Sequence, residues 1–224
     1  MIKFKNSEIT PENIYKKRRS FIKSIGLGAS SLAISAIPFA NKSSASERDK
    51  LTSYKDITTY NNYYEFGTSK SDPYKNSQTF KTTPWEIAIE GEVEKPIKLS
   101  MEEISEMFVS EERIYRLRCV EGWSMVIPWM GFSLSELLSK VNPTNKAKFV
   151  EFESVYDPAQ MKGQRYPVLN WPYNEGLRID EAMHPLTTVV TGLYGKKLPN
   201  QNGAPFRIFI PWKYGFKSAK AIVK

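Results

Sequence analysis

The 224-residue sequence contains one cysteine and one histidine, and these low counts exclude several classes of site. A single cysteine cannot form a disulfide within the chain. A structural zinc site needs about four ligands, usually Cys and His, so such a site is nearly excluded. A Ser-His-Asp triad would require His184 as its base, but the sequence offers no nucleophile-elbow motif. A purely structural histidine remains the alternative.

The sequence also has no dense run of basic residues interleaved with aromatic residues, although its formal net charge is +8. Nucleic acid is therefore not expected as a partner. A basic face could instead attract an anionic cofactor or membrane headgroups. Dispersed solubilising charge is the alternative explanation for most of the lysines.

A pair of arginines, Arg18 and Arg19, precedes Ser20-Phe21-Ile22-Lys23 and a weakly apolar run over 25–40. This pattern resembles the bacterial twin-arginine signal, which exports proteins that are already folded. An ordinary secretory signal or a membrane anchor would share the basic start. The apolar run is, however, shorter and more polar than the roughly 20 apolar residues of a membrane helix. We therefore predict a twin-arginine signal peptide over 1–45, the twin-arginine translocase as a partner, and periplasmic localisation.

The remaining chain of about 180 residues is long enough for one substantial domain. Residues 46–60 are polar and predict a linker, followed by one domain over 61–224. Strands are predicted by alternating or β-rich stretches over 85–91, 113–120, 148–156, 187–194 and 206–212. Ser100 with Glu103 predicts a capped short helix towards Phe108, and Leu134, Leu137 and Leu138 lie on one face of a predicted helix over 133–141. These patterns predict an α+β fold of mixed sheets and short helices.

Cys119 follows three arginines, Arg113, Arg116 and Arg118. Positive neighbours favour the thiolate, which is the form that binds metals or attacks substrates. A buried, inert cysteine is the alternative. A thiolate can hold a metal as the sole protein ligand only if a cofactor brings the other ligands, for example dithiolene sulfurs.

The segment around this cysteine, Arg116-Leu117-Arg118-Cys119-Val120-Glu121-Gly122-Trp123-Ser124-Met125, resembles the molybdenum-cysteine segment of the sulfite oxidase fold superfamily. More narrowly, the chain resembles the bacterial periplasmic protein-methionine-sulfoxide reductase catalytic subunits. Four further stretches, in family order, carry this resemblance: 60–67 (YNNYYEFG), 180–186 (DEAMHPL), 201–205 (QNGAP) and 211–217 (PWKYGFK).

The resemblance implies a sulfite oxidase-like molybdopterin-binding domain with one molybdenum on one pyranopterin and no appended nucleotide. It implies that Cys119 is the catalytic molybdenum ligand. The residues implied to bind the cofactor are Asn61, Tyr64, Glu65, Ser154, Asn202, Arg207, Ser218, Ala219 and Lys220. At position 154 the family typically has Thr, and Ser keeps the hydroxyl group. The last three residues are expected at the phosphate end.

The implied function is reduction of methionine sulfoxide in oxidised periplasmic proteins, a repair reaction. Electrons are expected from a haem-containing membrane subunit that draws on quinols, since the chain has too few cysteines for an iron–sulfur cluster. A sulfite oxidase-like enzyme and a non-catalytic exported binding domain are the alternatives. Family members continue beyond the position of Lys224, so we also expect the domain to be incomplete at its C-terminus.

Overall fold

The structure is a computed structural model that describes residues 50–224. The predicted signal peptide over 1–45 and the paired arginines lie outside the described residues. In chain order the described strands are β1 (Glu86–Ile89), β2 (Ile97–Ser100), β3 (Glu111–Arg118), β4 (Ser124–Ser133), β5 (Phe149–Glu153), β6 (Asn174–Arg178), β7 (Thr188–Leu193), β8 (Lys196–Lys197) and β9 (Arg207–Phe209). The α-helices are α1 (Tyr54–Thr59), α2 (Asp72–Asn76), α3 (Met101–Met107), α4 (Leu134–Val141) and α5 (Ile179–Ala182).

Three antiparallel sheets organise the described residues. The largest has the order β3-β4-β7-β8, with β9 also paired to β7. Strands β1 and β2 form one two-stranded sheet, and β5 and β6 form another. The predicted α+β class is confirmed, and each of the five predicted strands overlaps an observed one.

Both predicted helices are confirmed, with capping as their physical cause. Ser100 caps α3, because its side chain accepts a hydrogen bond from the backbone N–H of Glu103 and the Glu103 carboxylate accepts one from Ser100 N–H. At α4 the Glu136 carboxylate accepts a hydrogen bond from Ser133 N–H at 3.3 Å. The predicted apolar face of α4 is buried in the larger of two hydrophobic clusters in the described part of the chain.

Helix α1 corrects the expectation of a linker over 46–60. The Ser53 side chain accepts a hydrogen bond from Asp56 N–H and caps the helix. Ile57 is fully buried in the smaller of two hydrophobic clusters, together with Trp129 and Phe209. Ile57 and Thr58 are the buried residues of this helix, and one buried apolar residue leaves little hydrophobic periodicity for a sequence-based prediction to detect. This helix matters for the site, because its last residues lead directly into Asn61.

The longest strand, β4, was not predicted. It contains Pro128, and proline removes one hydrogen-bond donor from a sheet. The strand tolerates it because the pairing of β4 with β7 begins only at Trp129. Residues 218, 219, 221 and 222 are buried beside β9 and β5, where Ile222 forms a bridge with Ser154. No helix within residues 50–224 is long and apolar enough to cross a membrane.

Candidate active site: a cavity around Cys119

A cavity of about 320 Å³ opens at the turn between β3 and β4, the most extensively paired strands of the large sheet. Cys119 lies in its wall on this turn. Cys119 N–H donates to Trp123 O (2.9 Å), and Gly122 N–H donates to Cys119 O (3.1 Å). Gly122 has φ +86°, a value that glycine adopts without a steric penalty. The two long strands therefore hold the cysteine on a short, rigid turn.

The thiol group receives hydrogen bonds from two neighbours. Asn62 Nδ2 donates to Cys119 Sγ at 3.2 Å, and Glu121 N–H donates at 3.5 Å. Asn62 was not among the predicted site residues, although it stands beside Asn61 in the same motif. These contacts fix the direction of the sulfur, which is the form of support that a metal ligand requires.

The cation near this thiol comes from an unexpected part of the chain. Arg113 was expected to favour the thiolate, but its guanidinium donates to Pro185 O (3.0 Å) and Thr188 Oγ1 (3.3 Å). Lys220 instead interacts electrostatically with Cys119, and it also lines the cavity. The fold brings Lys220 to the cysteine from 101 positions away in the sequence. Arg113, which is much nearer in the sequence, points elsewhere.

Asn61 and Asn202 come from opposite ends of the described chain and share one anchor. Asn61 Nδ2 (2.9 Å) and Asn202 Nδ2 (3.0 Å) both donate to Ile57 O at the end of α1. Their Oδ1 atoms are buried without a partner among the described residues. Two amides are thus held firmly while their carbonyl oxygens stay available to a ligand in the cavity.

Arg207 is the most deeply buried cation of the site. Its residue is 3% exposed, its Nη1 donates to Asn202 O (2.6 Å), and its guanidinium lies 4.9 Å from the centre of the Trp129 ring. Burial lowers the pKa of Arg207 to about 10, and the nearby Tyr63 opposes this shift. A buried guanidinium with an unpartnered Nε is suited to an anionic ligand.

Lys220 approaches Arg207 across Gly203. A Cβ atom added at Gly203, which has φ +102°, would stand 2.9 Å from the Lys220 side chain and 3.3 Å from Arg207 Cδ. The pKa of Lys220 is lowered to about 8 by burial and by Arg207, against the attraction of Glu65. Lys220 keeps some accessible surface because its side chain faces the cavity. Its surroundings are nevertheless dense enough to disfavour the charged ammonium form. The glycine of the Asn-Gly turn is therefore required for close packing of two cations.

Glu65 is the buried anion of this group. It is 5% exposed, and burial raises its pKa while Lys220 lowers it. Its motif neighbour Tyr64 lines the cavity with it. One buried carboxylate beside the two cations, Arg207 and Lys220, leaves positive charge uncompensated when all three groups are ionised.

Three of the predicted residues lie outside the cavity lining. Ser154, Ser218 and Ala219 are each at most 1% exposed, and they surround the buried segment that carries Lys220. The Oγ atoms of Ser154 and Ser218 have no hydrogen-bond partner among the described residues. The structure therefore brings Asn61, Tyr64, Glu65, Cys119, Asn202, Arg207 and Lys220 together and sets the other three just behind them. His184 lies outside the lining and packs edge-on against Trp212.

The cavity fits a polar, anionic cofactor. Five of its lining residues carry a buried polar atom without a partner in the described part of the chain, namely Asn61 Oδ1, Asn62 Oδ1, Trp129 Nε1, Asn202 Oδ1 and Arg207 Nε. Each such atom costs about 1–3 kcal/mol unless a ligand satisfies it. Within residues 50–224, no three His, Cys, Asp or Glu side chains converge to hold a metal. A metal at Cys119 would therefore need further ligands from its own cofactor.

A model of the oxidoreductase molybdopterin-binding domain family matches residues 74–224. The chain is also 52% identical to the protein-methionine-sulfoxide reductase catalytic subunit MsrP of Xanthomonas axonopodis pv. citri (strain 306), over 98% of this chain and 72% of the relative. This chain belongs to the protein-methionine-sulfoxide reductase catalytic subunits of the molybdopterin-binding oxidoreductases. The MsrP subunit of Burkholderia mallei (strain ATCC 23344) is 50% identical, over 97% of this chain and 71% of the relative.

One solved structure extends the fold assignment beyond these relatives. The sulfane dehydrogenase SoxCD of Paracoccus pantotrophus matches with a TM-score of 0.54 and 14% sequence identity, over 87% of this chain. The chain spans 55% of the length of that structure. The likeness confirms the sulfite oxidase-like fold of the molybdopterin-binding domain.

Proposed function

We propose that this chain is the catalytic subunit of an exported molybdoenzyme that reduces methionine sulfoxide in periplasmic proteins. The single observation that carries the proposal is the cavity itself, in which one supported thiol, Cys119, faces a set of buried polar atoms that lack partners. Family membership supports the same chemistry.

The residues present would hold a molybdenum–pyranopterin cofactor in distinct ways. Cys119 would be the metal ligand, and the free carbonyl oxygens of Asn61 and Asn202 would accept from pterin N–H groups. Arg207 and Lys220 would bind the phosphate group, with the hydroxyl groups of Ser154 and Ser218 and the backbone of Ala219 close behind. Tyr64 and Glu65 would line the pterin. The cofactor would be mononuclear, with one pyranopterin and no appended nucleotide.

When bound, this cofactor supplies two-electron oxygen-atom transfer. Reduction of a sulfoxide to a thioether consumes two electrons and two protons and releases one water molecule. The chain's own contribution is to orient the thiol through Asn62 and the Cys119–Trp123 turn. It also keeps the cavity open on the side of Val120, so that a substrate can reach the cysteine side of the site.

Electrons would come from a haem-containing membrane subunit that oxidises quinols. One cysteine in the sequence is too few for an iron–sulfur cluster, so the electron must arrive from another protein. The word "subunit" in the relatives' names supports the existence of such a partner.

Periplasmic localisation through the twin-arginine translocase is the remaining part of the proposal. Changing Arg18→Lys and Arg19→Lys together should leave precursor in the cytoplasm, because Lys lacks the planar guanidinium fork. A Lys16→Arg, Lys17→Arg variant is the matched control and should export normally. Equal amounts of mature periplasmic protein from the Arg18, Arg19 variant would contradict this route.

The function can be tested on the full-length protein purified from a host that makes the cofactor. We expect about one molybdenum per chain, measured by mass spectrometry, and oxidation of a reduced dye that depends on methionine sulfoxide. Molybdenum with sulfite oxidation but no sulfoxide reduction would favour the sulfite oxidase-like alternative. Protein that binds neither metal nor pterin would favour the non-catalytic alternative.

A further inference from the structure

One face of β4 forms part of the cavity wall and carries a buried hydrogen-bond donor. Met125, Ile127 and Trp129 line the cavity from alternate positions of this strand, so their side chains lie on the same face of the sheet. Only Trp129 among the three has a side-chain donor, the indole Nε1–H. Trp129 is 0% exposed, and its Nε1 has no hydrogen-bond partner in the part of the chain that the structure describes. The protein itself therefore leaves this donor unsatisfied.

The other tryptophans of the chain show that such a donor is exceptional here. Trp85, Trp123 and Trp171 each donate through Nε1 to an acceptor in the protein, at distances of 2.9–3.2 Å. Trp212 is 44% exposed, which gives water access to its side chain. Trp129 alone is both fully buried and unpartnered among these residues, and a buried donor without an acceptor costs free energy unless a ligand supplies one.

The indole ring of Trp129 also supports the main buried cation. The Arg207 guanidinium lies 4.9 Å from the centre of this ring, and the Phe209 ring lies 5.5 Å from it. Arg207 Nε is likewise buried without a partner among residues 50–224. Two unsatisfied donors, one neutral and one cationic, therefore occur in a single packed pair. Such a pair suits an acceptor that carries negative charge.

Strand geometry places this pair far from the metal ligand. Ser124, the first residue of β4, is paired with Arg118, the residue before Cys119. Trp129 lies five residues further along β4, which is about 17 Å at the usual rise of a strand. A ligand held by Cys119 at one end would therefore meet Trp129 and Arg207 with its opposite end.

We propose that Trp129 is a further residue that positions the cofactor: its indole N–H donates to an acceptor oxygen at the anionic end of the cofactor, while its ring supports Arg207. The inference rests on the proposed function, because it assigns a residue to the cofactor named there. Met125 and Ile127 are apolar, so no other side chain from this face of β4 can replace the bond. Loss of the N–H should therefore weaken cofactor binding even when the ring beneath Arg207 is kept.

The test compares Trp129→Phe with Trp85→Phe in the full-length protein. Trp129→Phe keeps an aromatic ring beneath Arg207 but lacks the N–H. Trp85→Phe is the matched control, because Trp85 is buried, lies outside the cavity lining and donates to Ile222 O in the protein. Each variant is prepared with cofactor and, from a host that cannot make the cofactor, without it. Pterin content is measured under limiting cofactor supply, and Tm is measured for both forms.

We expect Trp129→Phe to bind the cofactor about tenfold more weakly than the parent, and Trp85→Phe to bind it equally well. The rise in Tm on cofactor loading should be smaller in Trp129→Phe than in the parent and unchanged in Trp85→Phe. A purely structural role would lower the Tm of the loaded and cofactor-free forms alike, so it would leave this rise unchanged. Neither readout requires turnover.

A shape-preserving replacement separates the N–H from the volume of the ring. β-(3-Benzothienyl)alanine at position 129 keeps two fused rings and has sulfur in place of N–H, so it should fold as the parent does and lose pterin as Trp129→Phe does. Parent-like pterin content in this variant, or an unchanged rise in Tm in Trp129→Phe, would overturn the inference. A parent that binds no pterin would refute the proposed function and the inference together. A parent that binds pterin but reduces no sulfoxide would refute the proposed function alone, and the comparison of variants would still decide the role of Trp129.

Discussion

Two walls of the cavity differ in exposure and in the pairing of their charged groups. The cysteine wall, formed by Asn62, Cys119 and Glu121, carries charges that are paired and partly exposed, with side-chain exposures of 25% for Lys70 and 35% for Glu121. The cationic wall, formed by Glu65, Asn202, Arg207 and Lys220, holds its charges in dense surroundings and leaves Asn202 Oδ1 and Arg207 Nε unpartnered.

This difference separates two kinds of ligand. A buried wall with excess positive charge is completed only by an anionic group that stays in place, as a cofactor does. A half-exposed wall with satisfied charges suits a substrate that enters and leaves in each turnover. The following four experiments test this division of roles, from the largest expected effect to the smallest.

Cys119→Ala should remove the metal ligand and leave the cationic wall intact. We expect sulfoxide turnover to fall by at least about a thousandfold, because the reaction depends on the metal. The pterin released by oxidation should fluoresce at no less than about half the parent level, since Arg207 and Lys220 still hold the phosphate. A variant with the parent's rate would contradict the metal-ligand role. Loss of all the pterin would contradict the separation between the walls.

Arg207→Ala should weaken cofactor retention. Loss of a charge-assisted bond costs about 1.5–3 kcal/mol, which lowers affinity about tenfold to hundredfold. Pterin content should be measured in a host with limiting cofactor supply. Arg178→Ala is the control, because Arg178 is an exposed arginine paired with Asp180. Equal pterin in Arg207→Ala and parent would show that the cationic wall does not hold the cofactor.

Lys220 should make the stability of the cofactor-free protein depend on pH. Its folded pKa of about 8 lies below the unfolded value of about 10.4, so between these values the unfolded chain binds more protons. Stability therefore rises with pH in this window and is flat below pH 8 on account of this group. Between pH 7 and 9 the parent should gain about 1 kcal/mol relative to Lys220→Met, measured by urea denaturation. If the unfolding free energies of the parent and of Lys220→Met changed with pH in parallel, the lowered pKa of Lys220 in the folded protein would be contradicted.

Lys70→Met should have the smallest effect. It breaks an ion pair at the surface, and such pairs contribute about 0.2–1 kcal/mol to stability. Pterin content should stay at the parent level, while turnover falls a few-fold as Glu121 loses a fixed position beside Cys119. Lys98→Met, which breaks the exposed pair with Glu86 on β1 and β2, is the matched control and should leave turnover unchanged. A large loss of pterin in Lys70→Met would contradict the comparison.

Local patterns in the sequence predicted the helices and strands that are stabilised by contacts between residues close in sequence. Ser100 with Glu103 satisfies a helix N-terminus within four residues, and Leu134, Leu137 and Leu138 recur at helical spacing, so both helices could be predicted. Strand β4 could not, because it is paired on both sides, with the neighbouring β3 and with the distant β7, and this pairing outweighs the effect of Pro128. Helix α1 could not be predicted for a similar reason. Burial in the core stabilises it, and its mostly polar residues give no sign of that burial.

The residues of the candidate site divide in the same way, into those that sequence motifs identify and those that only the fold reveals. The family motifs in the sequence identified Cys119, Asn61, Asn202, Arg207 and Lys220, and the structure gathers all of them around one cavity. Asn62 and Trp129 were missed, because their roles depend on a hydrogen bond to the thiol and on a ring beneath the guanidinium. Arg113 was expected to favour the thiolate, but alternation along β3 directs its side chain towards Pro185.

The sequence by itself therefore determined the family, the cysteine and the capped helices, because residue identity and local hydrogen bonding are written along the chain. Only the tertiary structure decided that one carbonyl, Ile57 O, anchors both Asn61 and Asn202. It alone also decided that Lys220 supplies the cation near Cys119. Asn202 is 145 positions from Ile57 and Lys220 is 101 positions from Cys119, and such contacts follow from packing of the whole domain.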